Sequence, residues 1–464
     1  MMDLERLVAA LGAVEVVGRA PVEVRDLGYD ARAVTPGALF FCVRGARADG
    51  HDFAPEAVER GAVALVVERP LDVGVPQVVV GDSRASMAVV ADEFFGRPTE
   101  ELQVAGVTGT SGKTTTAFLL YAILAAAGRR PGLLGTVEAR VGGERRGVVR
   151  TTPEAIDLQR TFREMLDAGD RSCAMEASSH ASQLRRLDRV RFAALVFTNL
   201  SQDHLDFHGD MESYFQAKRR LFVEGRPPAA INVGDEYGRR LAEELPEALT
   251  FGFAPGAAIG PEQLDRIDLK LRGRFNAENA LGALAAARLL EIDDAAAARG
   301  IESVRGVPGR FESVEEGQPF TVIVDYAHKP DALENVLCAA RELARGRVIC
   351  VVGAGGDRDR GKRPLMGRLA SELADVAIVT SDNPRSEDPR AIIDEIVAGA
   401  VGDVEVEPDR TAAIARAIEL ARDGDVVLIA GKGAEQGQQF ADRTIPFDDR
   451  EAARQALRTL GARA

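Results

Sequence analysis

Short apolar runs alternate with helical patterns along most of this chain, and that alternation limits the fold more than any other feature. The runs at 63–67, 77–80, 102–107, 194–197, 321–324, 348–352, 376–379 and 426–429 are each of strand length and rich in Val, Ile, Leu and Ala. Strands of this kind, separated by helical stretches, are buried on both faces, which predicts an α/β architecture with largely parallel sheets. A chain of 464 residues exceeds one ordinary core and suggests about three domains. Gly, Pro and charged residues interrupt the apolar periodicity at 96–101 and 304–309, so the expected domains are 1–98, 99–305 and 306–464. An alanine run, 295–298, suits a helix.

Charge narrows the class of partner. With 58 basic and 72 acidic side chains the net charge is −14, and no Lys/Arg block marks a nucleic-acid footprint. An acidic protein still binds anions where cations and backbone amides gather locally. The four cysteines, Cys42, Cys173, Cys338 and Cys350, lie in or beside apolar runs without paired spacing, so all four are expected as small core residues of a reducing compartment. The N-terminus lacks a long apolar segment, and the longest apolar stretch, 117–127, is far short of the roughly 20 residues that span a bilayer. A cytoplasmic protein without membrane insertion is the expectation.

The strongest local motif is Gly106-Val107-Thr108-Gly109-Thr110-Ser111-Gly112-Lys113-Thr114-Thr115, which follows an expected strand and opens an expected helix. Glycines there let backbone amides approach phosphate oxygens, Lys113 neutralises charge, and Thr114 can reach a magnesium ion. Val107 stands where a strict Walker loop has its first glycine. A second polar cluster follows: Met175-Glu176-Ala177-Ser178-Ser179-His180, then Asn199-Leu200-Ser201-Gln202-Asp203-His204-Leu205-Asp206. Both lie beyond apolar runs, where open α/β sheets bind ligands. Three of the five histidines, His180, His204 and His208, fall in this region without a cysteine, a set that suits magnesium better than zinc.

In combination these motifs resemble the Mur ligase family, over about 29–435. The family loop Thr-Gly-Thr-x-Gly-Lys-Thr is met at Thr108 to Thr114, which accounts for Val107. The resemblance implies an N-terminal α/β UDP-binding domain, a central P-loop ATPase domain with a mostly parallel sheet, and a C-terminal Rossmann-like domain. It implies ATP and Mg2+ as cofactors. Gly109, Thr110, Ser111, Gly112, Lys113, Thr114, Thr115, Asn279, Arg310, Asp325 and His328 would bind the nucleotide, and Thr114, Glu176, His204 and Lys218 would serve the metal. Lys113, Lys218 and His204 would carry catalysis. By residue type alone Lys218 reads as a helix-surface lysine; the resemblance reverses that, because the matching family lysine is carbamylated into a carboxylate-like ligand. Gly273 to Asn279, Gly309 to Glu312 and Asp325 to His328 match the family's nucleotide contacts.

For the acceptor, the resemblance implies UDP-N-acetylmuramoyl-L-alanyl-D-glutamate, contacted by Tyr29, Ala31, Ala46, Arg47, Ala48, Thr151, Thr152, Ser178 and Arg186. For the incoming amino acid it implies meso-2,6-diaminopimelate, held by Arg358, Asp382, Asn383, Pro384, Arg385, Gly431 and Glu435. Lysine has no distal carboxylate and would leave a buried Arg385 unpaired at a cost of several kcal/mol, so diaminopimelate is preferred. Without the resemblance, Asp382-Asn383-Pro384-Arg385 reads as a turn and helix cap. Three departures touch substrate contacts: Ala31 replaces the usual Ser, Ala434 the usual His, and 254–272 is shorter than the family norm and expected to lack strands. The implied activity is ATP-dependent ligation in peptidoglycan precursor synthesis by a monomer. Ligation of L-lysine and a silent nucleotide-binding protein stand as alternatives.

Overall fold

The computed structural model describes residues 1–18, 21–45 and 48–461, so Ala46 and Arg47 lie outside the described residues. The chain divides into two compact units. The first comprises Met1–Thr108, Gly128–Val196 and Ala217–Ala229, and the second Gly109–Ala127, Phe197–Gln216 and Ala230–Ala464.

In the first unit, a five-stranded sheet runs in the order Glu15–Val17, Gln77–Val79, Ala64–Val67, Ala38–Phe41, Asp26–Gly28. Its pairings are parallel except at the Glu15–Val17 edge. Leu39, Phe41, Val66 and Val78 face a core completed by Val90, Ala91 and Ile156, while Phe40, Leu65 and Val67 point to the opposite face. That period-two division explains why the runs are apolar throughout. The same unit holds six further strands, in the order Glu144–Arg146, Ala139–Val141, Pro131–Leu134, Ser172–Glu176, Gln103–Thr108, Phe192–Phe197. Ser172–Glu176 lies parallel to both its neighbours, so Glu176 leaves the sheet beside Val107 at the carboxyl edge.

In the second unit, Ala229–Asn232 and Leu249–Phe251 pair in parallel, and the helix Lys113–Ala126 packs against Arg274–Leu289 and Asp294–Ser303. A six-stranded sheet follows, in the order Glu312–Ser313, Thr321–Asp325, Val426–Ala430, Val348–Val352, Val376–Val379, Glu405–Val406, parallel except for its first pair. Val348, Cys350 and Val352 enter one core and Ile349 and Val351 the other, so helices cover both faces. The carboxyl ends of four of these strands release Tyr326–Lys329, Gly353–Arg358, Thr380–Arg385 and Gly431–Glu435, a common edge where such sheets bind ligands.

All eight expected strands form, within two residues at each end. Residues 254–272 hold a 3-10 turn at Pro261–Leu264 and no strand. One expectation fails. Cys42, Cys173 and Cys350 are buried, but Cys338 is exposed, on the outward side of the helix Pro330–Leu343 whose inner side carries Leu333, Val336 and Leu337. Its apolar neighbours in sequence lie on a different helical face. No helix among the described residues is long and apolar enough to cross a membrane.

Candidate functional site

The phosphate loop is shaped by contacts that only glycine permits. Gly109 has φ 148° and Gly112 φ 87°. A Cβ on Gly109 would stand 1.8 Å from Thr198 Oγ1, and one on Gly112 would stand 2.2 Å from Asn279 Oδ1. Asn199 braces the loop, accepting from Ser111 N at 2.9 Å through Oδ1, while Thr198 Oγ1 donates to Ser111 O at 2.6 Å. Lys113 Nζ donates to Gly109 O and Thr110 O, each at 3.0 Å, which holds the ammonium over the loop. Thr110 Oγ1 lies 3.1 Å from Tyr214 Oη and accepts from Ser201 N. Thr114 and Thr115 are buried in the first turn of the helix. The close backbone approach, the helix N-terminus and Lys113 together fit a polyphosphate.

From the six-stranded sheet, Arg310 donates through Nη2 to Thr114 Oγ1 at 3.1 Å and stacks 4.3 Å from the Tyr326 ring centre. Asn279 accepts from Thr116 at 3.4 Å, and its own amide is held by Asn276. Asp325 accepts from Phe311 N at 2.6 Å and Ala327 N at 2.7 Å. Burial pushes its carboxyl up to about 6, against the pull of Arg310 and those two amides. His328 Nδ1 lies 2.7 Å from Tyr326 O. Burial first, then Lys362 and Lys329, hold this imidazole well below its ordinary pKa, so it is neutral, donates through Nδ1 and leaves Nε2 as an acceptor.

Sequence reasoning missed Lys329. It is 5% exposed, lies 3.2 Å from Asp203 and reaches Thr110 O at 3.4 Å. Burial opposes ionisation of Asp203, yet Lys329 and His204 keep its carboxyl far below the usual range. His204, at φ 53°, sits 3.2 Å from the same carboxylate. Lys362, another buried cation, feels Asp203 and Asp382. The available signal was position: Lys329 follows His328 directly and precedes the helix-starting Pro330.

In the first unit, Glu176 is 1% exposed and accepts from Thr136 N at 2.7 Å and Thr136 Oγ1 at 3.1 Å. Thr136 Oγ1 in turn lies 3.0 Å from Thr151 Oγ1, and Thr152 Oγ1 donates to Glu176 O at 2.8 Å. Ser178 caps the helix Ser179–Gln183 and accepts from Thr152 at 3.1 Å. Arg186 donates to Thr152 O at 3.2 Å and meets Glu154 at 2.8 Å, a carboxylate shared with Arg84 and Arg150. Glu176, Thr151, Thr152, Ser178 and Arg186 therefore converge. Lys218, on the helix Met211–Val223, is 1% exposed and is no surface lysine. Tyr29 donates to Asp157 at 2.5 Å, Ala31 is buried in a 3-10 turn capped by Asp30, and Ala48 is exposed.

The remaining group lies in the second unit. Asn383 donates to Glu435 Oε2 at 2.8 Å and accepts from Lys432 Nζ at 2.8 Å. Lys432, fully buried, also stands 3.3 Å from Glu435 and 3.8 Å from Asp382. Gly431 has φ 125°, and a Cβ there would sit 2.5 Å from Asp382 Oδ2. Arg385, half-buried rather than buried as expected, has φ 52° and donates through Nη1 to Gly356 O at 2.6 Å. Arg358 is exposed on the neighbouring loop.

Among the described residues no group of three His, Cys, Asp or Glu converges to hold a metal. The residues present fit magnesium, which takes much of its coordination from phosphate and water, better than a metal caged by protein alone.

A phosphate loop with this glycine cradle, in a chain of parallel sheets, defines a P-loop nucleotide-binding architecture. The chain belongs to the Mur ligase family: 23–114 match the "Mur ligase family, catalytic domain", 107–287 the "Mur ligase middle domain", and 309–433 the "Mur ligase, glutamate ligase domain". It is 48% identical to the UDP-N-acetylmuramoyl-L-alanyl-D-glutamate--2,6-diaminopimelate ligase of Solibacter usitatus, over 95% of each chain. To the Streptomyces coelicolor enzyme of the same name it is 45% identical, over 98% of this chain and 96% of the other. A solved structure bearing that name superposes with a TM-score of 0.66 at 29% identity, covering 96% of both chains. The MurF ligase of Thermotoga maritima in complex with ADP, 21% identical with a TM-score of 0.62 over 96% of this chain and all of that one, shares the fold.

Proposed function

We propose that this ligase adds meso-2,6-diaminopimelate to the D-glutamyl γ-carboxylate of UDP-N-acetylmuramoyl-L-alanyl-D-glutamate, using ATP. The Asp382–Arg385 turn supports the amino-acid assignment: Asn383 is tied to Lys432 and Glu435 while the Arg385 guanidinium bonds Gly356 O, and in this reading Arg385 would receive a carboxylate and Glu435 an ammonium. The 48% identity to a diaminopimelate ligase supports the same choice.

In this reading the γ-carboxylate attacks the terminal phosphorus of ATP, ADP leaves, and an acyl phosphate forms. The amine of diaminopimelate then attacks the acyl carbon, and phosphate departs from the tetrahedral intermediate. The loop amides from Gly109 to Thr115 cradle the phosphates, and Lys113 offsets the charge that builds during transfer. Arg310, Asn279, Asp325 and His328 orient the nucleotide. Thr151, Thr152, Ser178 and Arg186 position the acceptor, with Tyr29, Ala31, Ala46, Arg47 and Ala48 on its uridine side. Arg358, Asp382, Asn383, Pro384, Arg385, Gly431 and Glu435 hold the amino acid. Magnesium, when bound, neutralises phosphate oxygens; Thr114, Glu176, His204 and Lys218, as its carbamate, would hold it. The three tasks divide over 1–98, 99–305 and 306–464. The enzyme works as a cytoplasmic monomer, without nucleic acid or membrane insertion, in peptidoglycan precursor synthesis.

The test is phosphate release from ATP with the UDP-dipeptide and meso-diaminopimelate, L-lysine or no amino acid. Release that requires diaminopimelate is expected. Equal release with lysine would remove the specificity assignment, and release with neither would remove the substrate assignment.

A further inference from the structure

The loops carrying Arg358 and Arg385 leave neighbouring strands, Val348–Val352 and Val376–Val379, and are laced together by backbone and side-chain hydrogen bonds. Gly356 N donates to Asn383 O at 2.9 Å. Arg385 Nη1 returns a hydrogen bond to Gly356 O at 2.6 Å. Ser386 donates to Asp357 from its backbone at 3.2 Å and its hydroxyl at 2.5 Å, and Asp357 N donates to Glu387 Oε1 at 2.6 Å. There is no slack between the loops: a Cβ on Gly356 would meet Pro384 O at 1.9 Å, and one on Gly355 would meet Arg385 Nη1 at 2.8 Å.

Beneath this lacing lies Arg363, on the helix Lys362–Leu373, with a fully enclosed side chain. Its guanidinium meets Glu387 fork to fork, Nη1 to Oε2 at 2.9 Å and Nη2 to Oε1 at 2.8 Å. The same guanidinium reaches Glu395 Oε2 at 2.8 Å and Gly355 O at 3.2 Å. It therefore touches both loops at once, one through the Gly355 carbonyl and the other through Glu387. The hydrogen bond from Arg363 is the first reason the Glu387 carboxyl is held down to about 2. Burying a guanidinium is costly, and a well-packed apolar side chain there would often stabilise the fold as well or better. What an apolar residue could not supply is a fixed spacing between the loops.

We propose that Arg363 and Glu387 are positioning residues for amino-acid selection: by clamping the two loops they set the placement of Arg358 and Arg385, and with it the preference for an amino acid whose far end carries a carboxylate. The inference rests on the reading that Arg385 receives that carboxylate.

The experiment compares the full-length enzyme with Glu387→Ala, Glu387→Gln, Arg363→Lys and Arg385→Ala. Steady-state rates are measured with meso-diaminopimelate and with L-lysine, alongside the KM for ATP and the thermal midpoint. For Glu387→Ala and Arg363→Lys, KM for diaminopimelate rises about tenfold or more, the scale expected when supporting contacts let a binding group drift by a fraction of an ångström. Meanwhile kcat, KM for ATP and the activity with lysine stay within about twofold. Glu387→Gln keeps one acceptor oxygen for Arg363 and falls between these variants and wild type. Should Arg363→Lys fail to fold, the two Glu387 variants, at a partly exposed position, still decide. Equal losses with both amino acids, tracking a lowered thermal midpoint, would show a merely structural clamp and overturn the inference. Diaminopimelate preference lost in Arg385→Ala but kept in Glu387→Ala would overturn it alone. A wild-type enzyme without that preference overturns the underlying reading, and the inference with it.

Discussion

Lys218 shows how far residue type and environment can diverge. A lysine in a helix is ordinarily solvated, yet this one is 1% exposed. The family resemblance implies a carbamate at this position, which would turn the buried ammonium into an oxygen ligand. Lys218→Met and Lys218→Arg, neither able to carry a carbamate, are expected to lower phosphate release at least a hundredfold at saturating substrates, a loss typical of removing a group that stabilises transition-state charge. Near-normal turnover in either would remove Lys218 from the mechanism. Asp325 supplies a second expectation. Its folded pKa, about 6, lies above the ordinary 3.8 because of burial. The folded state therefore binds its proton more tightly, so the stability from Asp325 is full below pH 3.8 and lost as pH rises through 6. A carboxyl titration followed by 13C NMR, assigned by its loss in Asp325→Asn, should show the midpoint near 6; a midpoint near 4 would mean that solvent reaches the group. At this scale legibility followed locality. Gly109 to Thr115 act within one turn of chain and could be read directly. Lys329, Lys432 and Arg363 owe their roles to partners such as Asp203, Asn383 and Glu387, distant in sequence, so nothing local marks them.

Strands buried on both faces announce themselves as apolar runs, which is why 348–352 and 376–379 could be read to the residue. Ala38–Phe41 and Pro131–Leu134 were not singled out. Each is four residues long, and the second opens with Pro and Gly, which weaken any strand pattern. Nor could periodicity reveal that Arg410, in the helix Arg410–Leu420, pairs with Asp449 at the start of the final helix, Asp449–Gly461. Both side chains are fully enclosed, with Nε and Nη2 each 2.7 Å from a carboxylate oxygen. Removing one partner strands the other charge, so Asp449→Ala should cost about 3–5 kcal/mol in denaturant-induced unfolding. A change below about 1 kcal/mol would show that water reaches the guanidinium. The phosphate loop makes a parallel case. Gly112→Ala imposes φ 87° on a residue with a Cβ and drives it to 2.2 Å from Asn279 Oδ1. Loss of nucleotide binding with about 1–3 kcal/mol of destabilisation is expected, read by calorimetric titration and unfolding.

Across the whole molecule, a net charge of −14 sets the chain against the anions it must bind. The second unit counters that locally by gathering Lys113, Arg310, Lys329 and Lys362 around the loop and the Tyr326–Lys329 segment, where the loop amides and a helix N-terminus add to the attraction. Attraction concentrated at one place makes nucleotide binding a stability term for the folded chain, since the unfolded chain retains no cradle. At a nucleotide concentration of about one hundred times Kd, linkage predicts about 2.7 kcal/mol of added stability. A non-hydrolysable ATP analogue with magnesium should therefore raise the unfolding free energy by that amount in wild type. Lys113→Ala should abolish the increment while leaving the unliganded midpoint where it was, because the half-buried Lys113 ammonium bonds to carbonyls of its own loop, Gly109 O and Thr110 O, which place it over the loop rather than in an apolar core. If the variant keeps the full increment, binding does not depend on this loop lysine; if its unliganded midpoint collapses, Lys113 holds the loop's fold and its part in phosphate binding must be sought by a different substitution.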